Sequence, residues 1–210
     1  MGYFDRNTSI NEDSLEHLNH IKASIQSYYD SVNAFKRSSS SKNLDRIRLH
    51  ESTINADSAS ALVESVLTSQ ITMGEVNKTY ESGFAQYIGS PYVLSCNSGS
   101  SANLLIIFSM IESGLLQKGD KVIVPALSWS TTIFPLFQAG LIPVIVDQSD
   151  LDFNIDLEMV EDQAQNHSVK ALMLIHTYGC PVNMDLVTSI CQKHQLLLIE
   201  DTCESMGARW

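Results

Sequence analysis

The sequence predicts an α/β fold, built on a mostly parallel sheet with helices on both faces. Three observations carry that expectation. Short apolar runs alternate with amphipathic stretches of helical period from about residue 92 onward. Several of the runs, such as ALMLI and LLLI, are continuously apolar, as in strands covered on both faces. Asp201 stands just past the last such run, where open α/β sheets bind ligands in the crevice at the strands' carboxyl ends.

Residues 1–50 differ from the rest of the chain. Helical periodicity runs over residues 14–35 through Leu15, Leu18, Ile21, Ile25 and Tyr28, with Asp13 or Asn11 as its cap. The run KRSSSSK (36–42) reads as a linker. Residues 1–50 are therefore expected to be an accessory helical segment and linker that packs on the main domain or on a partner subunit. Residues 51–210 form the main domain. It begins with helices over 58–68 and 75–88, separated by a turn at Thr72-Met73-Gly74. Strands are expected over 92–95, 121–124, 144–146, 171–176 and 196–200. The helical stretches between them are 102–113, 131–139, 156–165 and 184–194.

A formal net charge of -11 argues against nucleic-acid or membrane-surface partners, which need a basic face. No apolar run reaches the roughly 20 residues of a membrane span. MGYFDRNTSINEDS lacks the basic-then-apolar order of a signal peptide, and Arg6 stands where a myristoylation signal has Ser or Thr. Cys96, Cys180, Cys191 and Cys203 have no metal-ligand spacing, so reduced thiols and no structural metal are expected. The expected location is the cytoplasm.

Three strand-to-helix turns carry candidate chemistry. In CNSGSSANLL the free N–H groups and positive end of the following helix make an anion site. Gly99 there allows close approach of the backbone, and Ser100 can add a hydroxyl. The same residues also make an ordinary serine-rich cap. In VPALSWSTT, Trp129 can stack on a planar ring or pack at the core's edge. In EDTCE, Asp201 can pair with a protonated pyridine nitrogen, and Glu204 can face the same ring one turn later. A carboxylate at that place can instead cap the next helix.

In this order, the motifs resemble the DegT/DnrJ/EryC1/StrS family of pyridoxal 5'-phosphate (PLP) enzymes of nucleotide-sugar metabolism. The resemblance covers roughly residues 54 to 210, through ITMGE, NSGSSANLL, GDKVIVPALSWSTT, HTYGCPVNMD and IEDTCESMGA. It implies the aspartate-aminotransferase fold (PLP fold type I), here apparently truncated, with residues 51–210 as an incomplete cofactor-binding large domain. It implies that Gly99 and Ser100 hold the cofactor phosphate, Trp129 stacks on the ring, Asp201 pairs with the ring nitrogen and Glu204 lies near the ring hydroxyl. It also implies PLP or its amine form as cofactor, a nucleotide-sugar substrate and a homodimer of the full-length enzyme.

Most members are sugar aminotransferases with a lysine at the cofactor. A smaller group are 3-dehydratases of 4-keto-6-deoxy sugars, in deoxysugar and O-antigen biosynthesis, with a histidine there. NSGSSANLL, SWSTT and EDTCES, with Glu204 where aminotransferases have glutamine, look more like the dehydratases. The aminotransferase reading is the alternative, and a non-catalytic fragment or binding protein of the same fold is the second. In the family that lysine or histidine lies downstream of Asp201. None of His17, His20, His50, His167, His176 and His194 stands at the family position. No catalytic residue is therefore expected within these 210 residues, and the chain is expected to be part of a longer enzyme.

Overall fold

The computed structural model describes residues 11–39, 53–166 and 168–210. Residues 1–10, Ser40-Ser41-Lys42 of the expected linker, His50 and His167 lie outside the described residues. The chain divides into two compact units, Met1–Val93 and Leu94–Trp210.

The first unit is helical. α1 (Glu12–Ser39) is capped by Asn11, whose Oδ1 accepts from Ser14 N at 2.8 Å, and its backbone continues past the expected linker start to Ser39. α2 (Ala56–Leu67) packs on α1, and Lys22 Nζ reaches Glu64 Oε2 at 2.7 Å. Asn55 caps α2 by accepting from Ser58 N. α3 (Glu75–Ile88) begins at Gly74 and ends at Gly89 in the left-handed conformation. His17 and His20 line an apolar groove between α1 and α2.

In the second unit, α4 (Gly99–Glu112), α5 (Ser130–Gln138), α6 (Leu157–Ala164) and α7 (Met184–His194) surround a four-stranded sheet. Its strands β1 (Lys121–Pro125), β2 (Ile142–Val146), β3 (Val169–Ile175) and β4 (Leu197–Asp201) lie in the order β2-β1-β3-β4, all parallel. Alternation along the strands builds two cores. Val122, Val124, Ala171, Met173 and Ile199 join Ile107 of α4 and Leu136 of α5 on one face. Ile123, Leu172 and Leu174 join Val160 of α6 and Val187 and Ile190 of α7 on the other. The continuous apolar runs have this cause, and the expected α/β class with two covered faces is borne out.

One expected strand does not form. Residues 92–95 are in no ladder among the described residues, and Tyr92 and Leu94 are exposed. The apolar run suits a strand, but extended backbone becomes one only beside a partner that takes its hydrogen bonds. The sheet's order places the chain's reversal between β1 and β3, so the crevice expected of a doubly wound sheet opens at the carboxyl ends of these two strands.

Candidate functional site

A cavity of about 350 Å³ occupies that place. The loop after β1 contributes Leu127, Ser128 and Trp129, the end of β3 and its loop contribute Ile175, Thr177 and Tyr178, and Glu204 follows β4. Trp129 immediately precedes α5 and is 69% exposed, so its ring is available to a flat ligand rather than packed into the core. Ser128 Oγ is buried in this wall and has no hydrogen-bond partner among the described residues. A buried hydroxyl in that state loses hydration without compensation unless a ligand supplies a partner.

Glu204 reaches across the crevice to the loop after β3. Its Oε2 accepts from Tyr178 N at 2.7 Å. Tyr178 holds a left-handed φ of 55°, and Gly179 follows at 79°. A side chain at Gly179 would also begin 3.1 Å from the Glu204 carbonyl, so this position needs glycine twice over. Glu204 thus ties the β3 loop to the β4 loop as well as lining the cavity.

Asp201 ends β4 and is partly buried. Its Oδ2 accepts from Asn103 Nδ2 at 2.8 Å and from Thr132 Oγ1 at 3.0 Å, and its Oδ1 accepts from Cys203 N at 3.2 Å. All three groups donate, so Asp201 acts as a carboxylate acceptor. It is not a helix cap, because a turn follows β4.

Gly99 and Ser100 open α4, and the cap is Ser98, whose Oγ accepts from Ser101 N at 3.2 Å. The N–H groups of Gly99 and Ser100 precede that bond and have no carbonyl within the helix. A Cβ on Gly99 would meet no atom within 4 Å, so this end of the helix is open. Trp129 and Glu204 share the cavity wall. Gly99, Ser100 and Asp201 are not part of that wall. They join it through structure: Asn103, one turn into α4, and Thr132, just after Trp129, both hold Asp201.

Sequence reasoning did not assign Asn103, Thr132, Ser128, Tyr178 or His176. Asn103 shares the buried side of α4 with Ile107, and a polar residue on a core-facing stripe is a signal that it has a specific partner. His176 is buried beyond β3. Its Nδ1 accepts from Val182 N at 3.1 Å, which leaves Nε2 to donate to Glu200 Oε2 at 3.1 Å. Its place is structural. Lys193 and His194 both bind Glu161 of α6. Their hydrogen bonds, with that of His194 the larger cause, hold the Glu161 carboxyl below the ordinary carboxylate range.

The arrangement offers an anion site at a helix start, an aromatic face and a fixed carboxylate acceptor. The chain is 40% identical over 163 residues to GDP-4-keto-6-deoxy-D-mannose 3-dehydratase of Yersinia pseudotuberculosis, covering 77% of this chain and 41% of that protein. It is 44% identical over 149 residues to the enzyme of the same name from Escherichia coli, covering 70% and 38%. A crystal structure of GDP-4-keto-6-deoxymannose-3-dehydratase with a trapped PLP-glutamate geminal diamine superposes with a TM-score of 0.73 at 41% identity, over 79% of this chain and 43% of that one. The PLP fold type I expectation is thus borne out, and the chain spans about two fifths of the length of these relatives. The model of the DegT/DnrJ/EryC1/StrS aminotransferase family matches residues 52–210, and the chain belongs to that family.

Proposed function

We propose that this chain is the cofactor-binding portion of a PLP- or pyridoxamine 5'-phosphate-dependent enzyme that removes the 3-hydroxyl of a nucleotide-linked 4-keto-6-deoxyhexose. The observation that carries the reading is Asp201 at the carboxyl end of β4, held as an acceptor by donors from both neighbouring helices. The similarity to 3-dehydratases supports deoxygenation over amino transfer.

The residues present fit the cofactor. Open space at Gly99 and the free N–H groups of Gly99 and Ser100 suit its phosphate. The orphan Ser128 hydroxyl suits a polar substituent, and the exposed face of Trp129 suits its ring. Asp201 would pair with the protonated ring nitrogen, and Glu204 would lie near the ring hydroxyl. When bound, the cofactor supplies an electron sink that stabilises negative charge beside the reacting carbon. Asp201 keeps the ring nitrogen protonated by offering an acceptor fixed in place. Trp129 holds the ring plane and excludes water from one side of it. The group that moves the substrate proton is not assigned within these residues.

Residues 51–210 make up the cofactor-binding large domain and residues 1–50 an accessory segment, a division supported by a family match that begins at residue 52. The exposed apolar side chains Leu105 and Phe108 of α4 and Phe134 and Phe137 of α5 support a homodimer of the whole enzyme, since exposed apolar surface marks interfaces. The acidic balance supports a protein without nucleic-acid or membrane-surface partners, and its location is read as the cytoplasm.

The test uses the native protein that carries this sequence, with PLP, glutamate and a GDP-linked 4-keto-6-deoxyhexose. A sugar product lacking the C3 oxygen and containing no nitrogen is expected by mass spectrometry. An amino-sugar product overturns dehydration in favour of amino transfer, and no absorbance change on adding PLP overturns the cofactor reading. Light scattering on the same sample tests the dimer.

A further inference from the structure

An aspartate that receives a ring nitrogen must be aimed before the ring arrives, and residues outside the cavity aim this one. Pro135 lies inside α5 and has no N–H, so the carbonyl of Thr131, four residues earlier, lacks its helical donor. Asn103 of α4 takes that place, its Nδ2 donating to Thr131 O at 3.2 Å. An amide nitrogen carries two N–H groups. The first, spent on Thr131, fixes which end of the amide faces β4. The second goes to Asp201 Oδ2 at 2.8 Å, beside the Thr132 hydroxyl at 3.0 Å.

Asn103 is 6% exposed and Thr132 1%, so water competes little for either donor. Oδ2 then holds two hydrogen bonds and Oδ1 one, from Cys203 N. A carboxylate has about four acceptor positions, two on each oxygen. The remaining capacity is on Oδ1.

Resting on the cofactor reading above, we infer that Asn103 and Thr132 are positioning residues: by anchoring Oδ2 of Asp201 they present Oδ1 to the protonated ring nitrogen. They touch neither ring nor substrate in this scheme and act through Asp201. The same two contacts join α4, which begins at the phosphate site, and α5, which begins after Trp129, to the end of β4. One carboxylate oxygen thereby links the three parts of the site.

The test compares binding of two probes to the native protein that carries this sequence, by absorbance and fluorescence titration. One probe is PLP. The other is its carbocyclic analogue, with C–H in place of the ring nitrogen. Asn103→Leu and Thr132→Val are each expected to weaken PLP binding about tenfold, the scale of one hydrogen bond to a charged group. Binding of the analogue should change by less than about threefold. Thr132→Ser, which keeps the hydroxyl, should bind PLP like the unsubstituted chain.

Equal losses for both probes would mean that Asn103 and Thr132 merely shape the fold, and would overturn the inference. If Asn103→Leu does not fold, Thr132→Val against Thr132→Ser reads the same selectivity. Asp201→Asn separates the two levels. Selective loss of PLP in Asp201→Asn but not in the Asn103 and Thr132 variants overturns this inference alone. No selectivity in Asp201→Asn, or no binding of either probe to the unsubstituted chain, overturns the cofactor reading beneath it.

Discussion

Glu200 and Asp201 are consecutive carboxylates at the end of β4, yet they belong to different faces of the sheet. Alternation sends Asp201 to the face of α4 and α5, where Asn103 and Thr132 hold it. Glu200 goes to the face of α6 and α7 and meets His176. Two side chains of the same chemistry are thus divided by pleat alone. One is fixed by neutral donors and keeps acceptor capacity. The other faces a histidine whose second nitrogen is already committed to the backbone of Val182. A carboxylate's role at a strand end therefore follows from which face it joins.

The contrast is most easily disturbed on its structural side. His176→Leu leaves the buried Val182 N–H without a partner, and we expect a loss of about 2–3 kcal/mol in urea unfolding. PLP affinity, measured where the variant is folded, should stay within about threefold, since His176 holds none of the donors to Asp201. A large affinity loss would merge the two faces into one site.

Asp201→Asn should do the reverse. It removes the charge offered to the ring nitrogen, and PLP affinity should fall by about 10–100-fold, the range for hydrogen bonds to charged groups. The urea midpoint should move little, because the amide oxygen can still accept from Asn103 and Thr132. Glu200→Gln is the milder control, with about 1 kcal/mol lost in unfolding, the scale of one hydrogen bond, and unchanged PLP titration.

The smallest effect lies away from both. Glu161 has its carboxyl lowered by hydrogen bonds from His194 and Lys193. A lowered carboxyl stabilises the fold above the unfolded value near 4.5, and that contribution disappears as pH falls through the lower folded value. Glu161→Gln should therefore be slightly less stable than the parent at pH 6. By thermal melting the gap should narrow as pH falls below 4.5. A gap that persists in acid would show that the contacts depend on packing rather than charge.

Much of this was legible in the sequence. The helices over 75–88 and 184–194 have the expected bounds, because Gly74 with Gly89 and Asn183 with Gln195 punctuate them. Asp201 was placed at its strand end by the apolar run before it. The strand over 92–95 was not legible as it stands, since pairing belongs to the neighbour and not to the run. Nor was the clamp on Asp201. Asn103 and Asp201 are far apart in the chain, and only the packing of α4 against the sheet brings them together. Pro135 was the nearest available signal, for a proline inside a helix leaves a carbonyl that something else must satisfy.

The wholly parallel order of the sheet bears on how the site comes into being. No two strands are joined by a tight turn, so each pairing must wait for an intervening helix, and closing a longer loop loses more chain entropy. The β1–β3 pairing encloses β2 and two helices, more chain than either of the other ladders. The crevice lies at the ends of those two strands. Its walls should therefore assemble late and slowly, as non-local contacts do, so that competence to hold a ligand would mark the end of folding and give a direct kinetic signal of it.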